Sequence, residues 1–154
     1  MDTWQTLVAV KQPKKNNMKY LNDISRAGRP PIGSHVIKFH AIHELLCFSC
    51  QVGQNCITIS RKEPSGDKSL IHKPIIATMD TPTDICSDDN GHIYVSGQGS
   101  NNIHRLTKEG KVIDIPLHSH HGIKQPVAIC FNQTYTKLYI VNEWGKSVLV
   151  FDVI

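Results

Sequence analysis

The chain has 154 residues, 19% of them charged and 40% hydrophobic, which is the balance of one ordinary globular domain rather than of a disordered tail. Its 17 Lys and Arg against 13 Asp and Glu leave a net charge of +4, too mild to demand a nucleic-acid or membrane partner. No run approaches the roughly 18 apolar residues of a spanning helix, and no signal-peptide core opens the chain, so it reads as cytoplasmic with no membrane partner. Five cysteines cannot all pair within one chain and read as reduced, mostly buried thiols.

Residues 1–32 come first and read as an irregular basic N-terminal arm. Residues 1–38 carry +5 and residues 39–154 carry −1, so the positive charge belongs to this end. Pro13, Pro30 and Pro31 interrupt the arm, and Trp4–Val10 alone has strand character. Lys11, Lys14, Lys15, Lys19, Arg26 and Arg29 form a candidate basic patch for phosphate contacts, with a solvated linker as the plain alternative.

Residues 33–154 repeat with a period near 45, giving units at about 33–75, 76–118 and 119–154. Pro82 and Cys86 recur as Pro126 and Cys130, displaced by 44, while Ile93-Tyr94-Val95 recurs as Leu138-Tyr139-Ile140, displaced by 45. Ile103 to Leu106 likewise recurs as Val148 to Phe151. An upstream copy begins with a strand at Val36–Phe39 and aligns Leu46-Cys47-Phe48-Ser49 with Ile93-Tyr94-Val95-Ser96, displaced by 47. Alternating apolar and β-branched residues predict strands throughout, at 83–87, 92–96, 102–107 and 112–115 in the middle unit. Asp89-Asn90-Gly91 predicts a tight hairpin turn, because Asn-Gly accepts positive φ.

The pattern resembles the NHL-type β-propeller repeat, through Pro82, Ile85, Asp88, Gly91, Ile93, Tyr94, Val95, Ile103 and Leu106 in the middle unit. In the last unit Pro126, Ile129, Leu138, Tyr139, Ile140, Val148, Val150 and Phe151 carry it, with Asn132 in place of the turn Asp. The resemblance implies an all-β fold: part of a six-bladed (NHL/TolB-like) β-propeller, about three four-stranded antiparallel blades. The run Lys137–Asn142 looks most like propellers at the C-terminus of tripartite-motif proteins. That setting implies a non-catalytic scaffold for a protein partner, with RNA as a second class of partner. Neither a RING nor a complete B-box zinc pattern is visible. Six blades of about 45 residues need roughly 270, so the expectation is a fragment of a longer propeller, a truncated product with no independent function, or a chain that self-associates to complete a propeller. Such families often complete the last blade with an N-terminal strand, which places Trp4–Val10 beside Val148–Ile154.

Candidate chemistry is sparse. Cys47-x-x-Cys50, Cys56, His40 and His43 are zinc-ligand types, but strand alternation sends near neighbours to opposite faces, and structural thiols are expected. Cys86 and Cys130 share one repeat position and are expected as core thiols. His118, His120 and His121 are expected as an exposed loop, and no serine, cysteine or histidine has catalytic spacing. The alternative reading is a gluconolactonase-like hydrolase, whose family holds a divalent cation with Glu, two Asn and Asp from different blades. Here Thr83 follows Pro82, Val127 follows Pro126, and Ser96, or Val141 and Asn142, follow the second strand, which removes most of that set. No catalytic, cofactor or metal site is expected, and the chain is read as no enzyme. Asn142, Glu143, Trp144 and Lys146 form the candidate partner-binding loop, beside Gln98, Asn101 and Asn102. Trp144 is its aromatic anchor unless it packs on its own blade.

Overall fold

The computed structural model describes residues 5–11, 36–42, 46–51, 55–62, 64–65 and 68–153. Strands β2 (Val36–Ile42), β3 (Leu46–Gln51), β4 (Ile57–Lys62) and β5 (Lys68–His72) form the first four-stranded sheet, in that order. The second sheet runs β6 (Pro82–Ser87), β7 (Ile93–Gly97), β8 (Asn102–Leu106) and β9 (Val112–Leu117). The third contains β10 (Ala128–Phe131), β11 (Lys137–Asn142) and β12 (Ser147–Asp152), and its fourth strand is β1 (Gln5–Lys11). All pairings are antiparallel. The N-terminal strand therefore completes the last sheet, with Gln5 opposite Asp152 and Lys11 opposite Ser147. Among the described residues no helix is long and apolar enough to cross a membrane.

The sheets stack face to face, and the pleat explains how. In β11, Leu138, Ile140 and Asn142 are buried while Lys137, Tyr139 and Val141 between them are half-buried, the period-2 pattern of a sheet packed mainly on one side. In β7 every residue from Ile93 to Gly97 is buried, because the second sheet is covered on both faces. The first joint packs Phe48, Cys50, Ile57 and Ile59 against Ile85, Ile93, Val95 and Leu106, with Ile76 and Met79 from the connecting segment. The second joint packs Cys86, Tyr94, Ile103 and Leu117 against Ile129, Leu138, Ile140, Leu149 and Phe151. Tyr94 and the Phe131 ring meet edge to face with centroids 5.0 Å apart.

The ladders set the true repeat register. Cys86 pairs with Tyr94, and Tyr94 with Arg105, as Cys130 pairs with Tyr139, and Tyr139 with Val150; the downstream displacements of 44 and 45 are those of the structure. The upstream displacement of 47 is not. Phe48 pairs with His40 and Ile59 as Tyr94 pairs with Cys86 and Arg105, so the first sheet matches the second at 46. A slip of one residue exchanges the two faces of a strand. Phe48, not Cys47, occupies the Tyr94 position, and Cys56 occupies that of Asn102 rather than Ile103. A tight turn does follow β6, and of the Asn90-Gly91 pair one residue takes positive φ. The Asp88 carboxylate accepts from the Asn90 and His92 amides at 3.0 and 2.8 Å, and Gly91, not Asn90, takes the left-handed backbone (φ 80°).

Candidate functional site

The described loops joining second to third strands, those after β7 and β11, gather on one rim of the stack. Asn101 Oδ1 accepts from the Gln125 amide at 2.8 Å, tying the loop after β7 to the lead-in of the third sheet. Glu143 N donates to Lys124 O at 2.8 Å, which ties the loop after β11 to that same lead-in. This rim concentrates left-handed backbone at non-glycine residues: Thr81 (φ 48°), Asn101 (53°), Gln125 (45°), Glu143 (49°) and Trp144 (57°). Such conformations cost of order 1–3 kcal/mol each and persist only where surrounding bonds impose them.

The predicted loop residues separate into two groups here. Asn142 is a correction: it is 3% exposed, its Oδ1 accepts from Lys124 N at 2.8 Å and its Nδ2 donates to Gly122 O at 3.0 Å. It braces the loop from below and presents nothing to a partner. Asn102 and Gln98 are buried as well; Asn102 Nδ2 donates to Thr78 O, while Gln98 Nε2 has no hydrogen-bond partner. Trp144, by contrast, is 63% exposed, so it does not pack on its own blade. Lys146 is exposed beside it, and Lys124 meets Glu143 in an open ion pair at 3.5 Å. Of the basic arm, Lys11 lies in β1, and Lys14, Lys15, Lys19, Arg26 and Arg29 lie outside the described residues.

Among the described residues the thiols and imidazoles do not converge on a metal, and His43 lies outside those residues. Cys50 and Cys56 are buried, Cys47 is half-buried on the opposite face of β3, and all five cysteines are free of disulfides. Cys86 is buried as expected, but Cys130 is exposed, because the face of the third sheet on which it lies has no described sheet beyond it. His118, His120 and His121 wrap a short 3₁₀ turn, where His118 Nδ1 accepts from His120 N and His121 Nδ1 accepts from His118 N. Burial first, then the neighbouring His118 and His120, lower the His121 pKa. Among the described residues no cluster of His, Cys, Asp and Glu could hold a metal ion. Thr83, at the position where a lactonase-type ligand would stand, bonds Ser96 Oγ at 2.9 Å and donates to Pro126 O at 3.0 Å, which is a joint contact.

Two buried polar residues escaped the sequence reading. Asp84 is 4% exposed; its Oδ1 accepts from Ile85 N at 2.8 Å and its Oδ2 from Ile129 N at 2.9 Å, a carboxylate bridging the second joint. His104 is fully buried, bonded through Nε2 to Thr78 Oγ1 at 2.9 Å, and its Nδ1 has no partner. Burial lowers its pKa to about 4. The only sequence signal for either was a polar residue at a buried strand position.

No family model and no curated protein matches the chain. Among solved structures it is similar to a gluconolactonase from Xanthomonas campestris, at 17% identity and TM-score 0.61, over 79% of this chain and 38% of that one. It is also similar to a streptogramin B lyase, at 16% identity and TM-score 0.55, over 82% and 39% of the two chains. A third likeness is to an auxiliary nutrient binding protein from Bacteroides ovatus, at 12% identity and TM-score 0.52, over 69% and 34%. The chain thus spans about two fifths of the length of the first two structures. Enzymes and a binding protein share this likeness, which at such identities is one of architecture: the chain is built of β-propeller blades.

Proposed function

We propose that the chain is a non-catalytic binding scaffold of the NHL type, acting on a protein partner in a tripartite-motif-like setting. The observation that carries this reading is Trp144, held 63% exposed on two consecutive left-handed residues at the rim. A large aromatic side chain fixed outward by a strained backbone is the kind of anchor that dominates binding energy at protein interfaces. Glu143, Lys146, Lys124 and Asn101 surround it with polar groups of both signs, as the rim of an interface requires. RNA is the second class of partner, resting on the basic arm and on phosphate neutralisation, since residues 39–154 carry −1.

Cross-linking through Lys124 and Lys146 in a cell extract, followed by mass spectrometry, tests the reading. A protein that cross-links to the wild type and is lost with Trp144→Ala, while the variant keeps its unfolding midpoint, supports it. Cross-links indifferent to Trp144→Ala overturn it. Lactone hydrolysis that rises with added calcium or zinc also overturns it, in favour of the gluconolactonase-like alternative.

A further inference from the structure

We propose that a cleft in the first joint, at the end away from the rim, binds a free medium-chain carboxylate, with the alkyl chain against the first sheet and the head on Arg61. The cleft has a volume of about 650 Å³ and is lined by Leu46, Ile59, Arg61 and Ile71 of the first sheet and by Lys108 and Glu109 in the turn between β8 and β9. Successive strands alternate in direction, so that turn lies at the opposite end of the stack from the loops after β7 and β11. Both walls of the cleft belong to described sheets of this chain, so it owes nothing to an outer face left without a neighbour.

A local irregularity and a pair of substitutions make the site. Strands β4 and β5 pair Ile59 with His72 and Ser60 with Leu70, which leaves Ile71 as an extra residue between them. A bulge of this kind re-aims a side chain, and Ile71 lines the cleft beside buried Ile59 while staying 49% exposed at its mouth. In the second sheet Arg105 holds the place of Ile59 and closes on Asp114 with bonds of 3.0 and 2.6 Å. Thr107, which matches Arg61 at the displacement of 46, is engaged as well: its Oγ1 accepts from Glu109 N and Lys111 N, each at 3.3 Å. The first sheet reverses this pattern, with an aliphatic wall at Ile59 and an exposed Arg61 whose side chain has no hydrogen bond or ion pair among the described residues. A guanidinium offers a planar fork of donors that fits a carboxylate through two bonds. Lys108 adds a second positive charge at the mouth against the single negative charge of Glu109 among the described lining residues. The facing turn is already fixed, because Thr107 N donates to Lys111 O at 2.8 Å and Gly110 N to Thr107 O at 2.9 Å. An aliphatic hollow with one fork of free donors calls for a ligand divided the same way, apolar along its length and anionic at one end.

Photolabelling of the full wild-type chain with decanoic acid bearing a terminal diazirine, followed by peptide mapping, tests the site without requiring any variant to fold. Label is expected on peptides that contain Leu46, Ile71 or Lys108, and is expected to disappear with excess unlabelled decanoate. Label found only elsewhere, or label that decanoate does not displace, overturns the proposal. In calorimetry, Arg61→Gln is expected to weaken decanoate binding about tenfold and to leave decanol binding unchanged. Ile71→Asn is expected to weaken both, and since both side chains are exposed each variant should keep the wild-type unfolding midpoint. Equal loss of decanoate and decanol with Arg61→Gln, no decanoate binding by the wild type, or binding only to phosphatidylglycerol vesicles and not to free decanoate each overturns the proposal. None of these outcomes touches Trp144, so the rim reading stands or falls separately.

Discussion

The joint between the second and third sheets is fixed by direction, and the joint between the first and second by shape. Across the second joint Asp84, Thr83 and Asn101 reach the backbone of Ile129, Pro126 and Gln125 at 2.9, 3.0 and 2.8 Å. Each bond names one backbone atom, so together they allow one register. Across the first joint the described polar contacts are fewer. His40 Nε2 meets Ser87 Oγ at 2.8 Å, while His104 lies buried with one nitrogen unpartnered. Aliphatic packing supplies the rest, and it is non-directional. The two joints thus reach similar burial by means that respond differently to mutation and pH.

The largest expected effect is at Asp84. Asp84→Ala leaves the buried Ile129 and Ile85 amides without their acceptor and should cost about 3–4 kcal/mol in urea unfolding. A loss below about 1 kcal/mol would mean that apolar packing fixes the second joint as well.

His104 provides the next test, in the first joint. Its folded pKa of about 4 lies below the ordinary 6.5, so the unfolded chain binds this proton first. Its contribution is complete above about pH 6.5 and is lost as pH falls toward 4, by roughly 3 kcal/mol. Leu149 holds the equivalent place in the third sheet, so His104→Leu should flatten that pH dependence with little cost at neutral pH. An unchanged slope in pH-dependent unfolding would assign the sensitivity to other groups.

Gly110 sharpens the picture of shape. It sits at φ 83°, and a Cβ there would lie 2.7 Å from Pro74 Cγ and 2.8 Å from Ile59 Cδ1. Gly110→Ala should cost about 2 kcal/mol, the sum of a left-handed alanine and a crowded joint. Thermal unfolding with no shift would show that the first joint yields. The smallest change belongs to Trp144→Ala, less than about 0.5 kcal/mol, because the side chain is exposed and braces neither joint.

The same contrast explains what was legible in the sequence. Between the second and third sheets, Pro82 with Pro126 and Tyr94 with Tyr139 anchor the alignment, and the ladders follow it. Upstream no proline or turn Asp marks the repeat, and the displacement of 47 sets Phe48 on Val95 where the ladders set it on Tyr94. A period of two cannot distinguish a register from its neighbour when only apolar character is compared. Asn142 reads in sequence as a loop residue, and its burial is not legible there because its partners Gly122 and Lys124 lie in another segment. Asp84 and His104 were missed for that reason too: their roles depend on Ile129 and Thr78, distant in sequence.

The pairing of β1 with β12 bears on how the chain folds. Gln5 and Asp152 pair across almost the whole described chain, so the third sheet has the longest loop to close in the described structure. Every other described strand pairs with one next to it in sequence, whereas β1 has no partner until β12 is in place. An unpaired edge of this kind is where a growing chain is most open to capture by another.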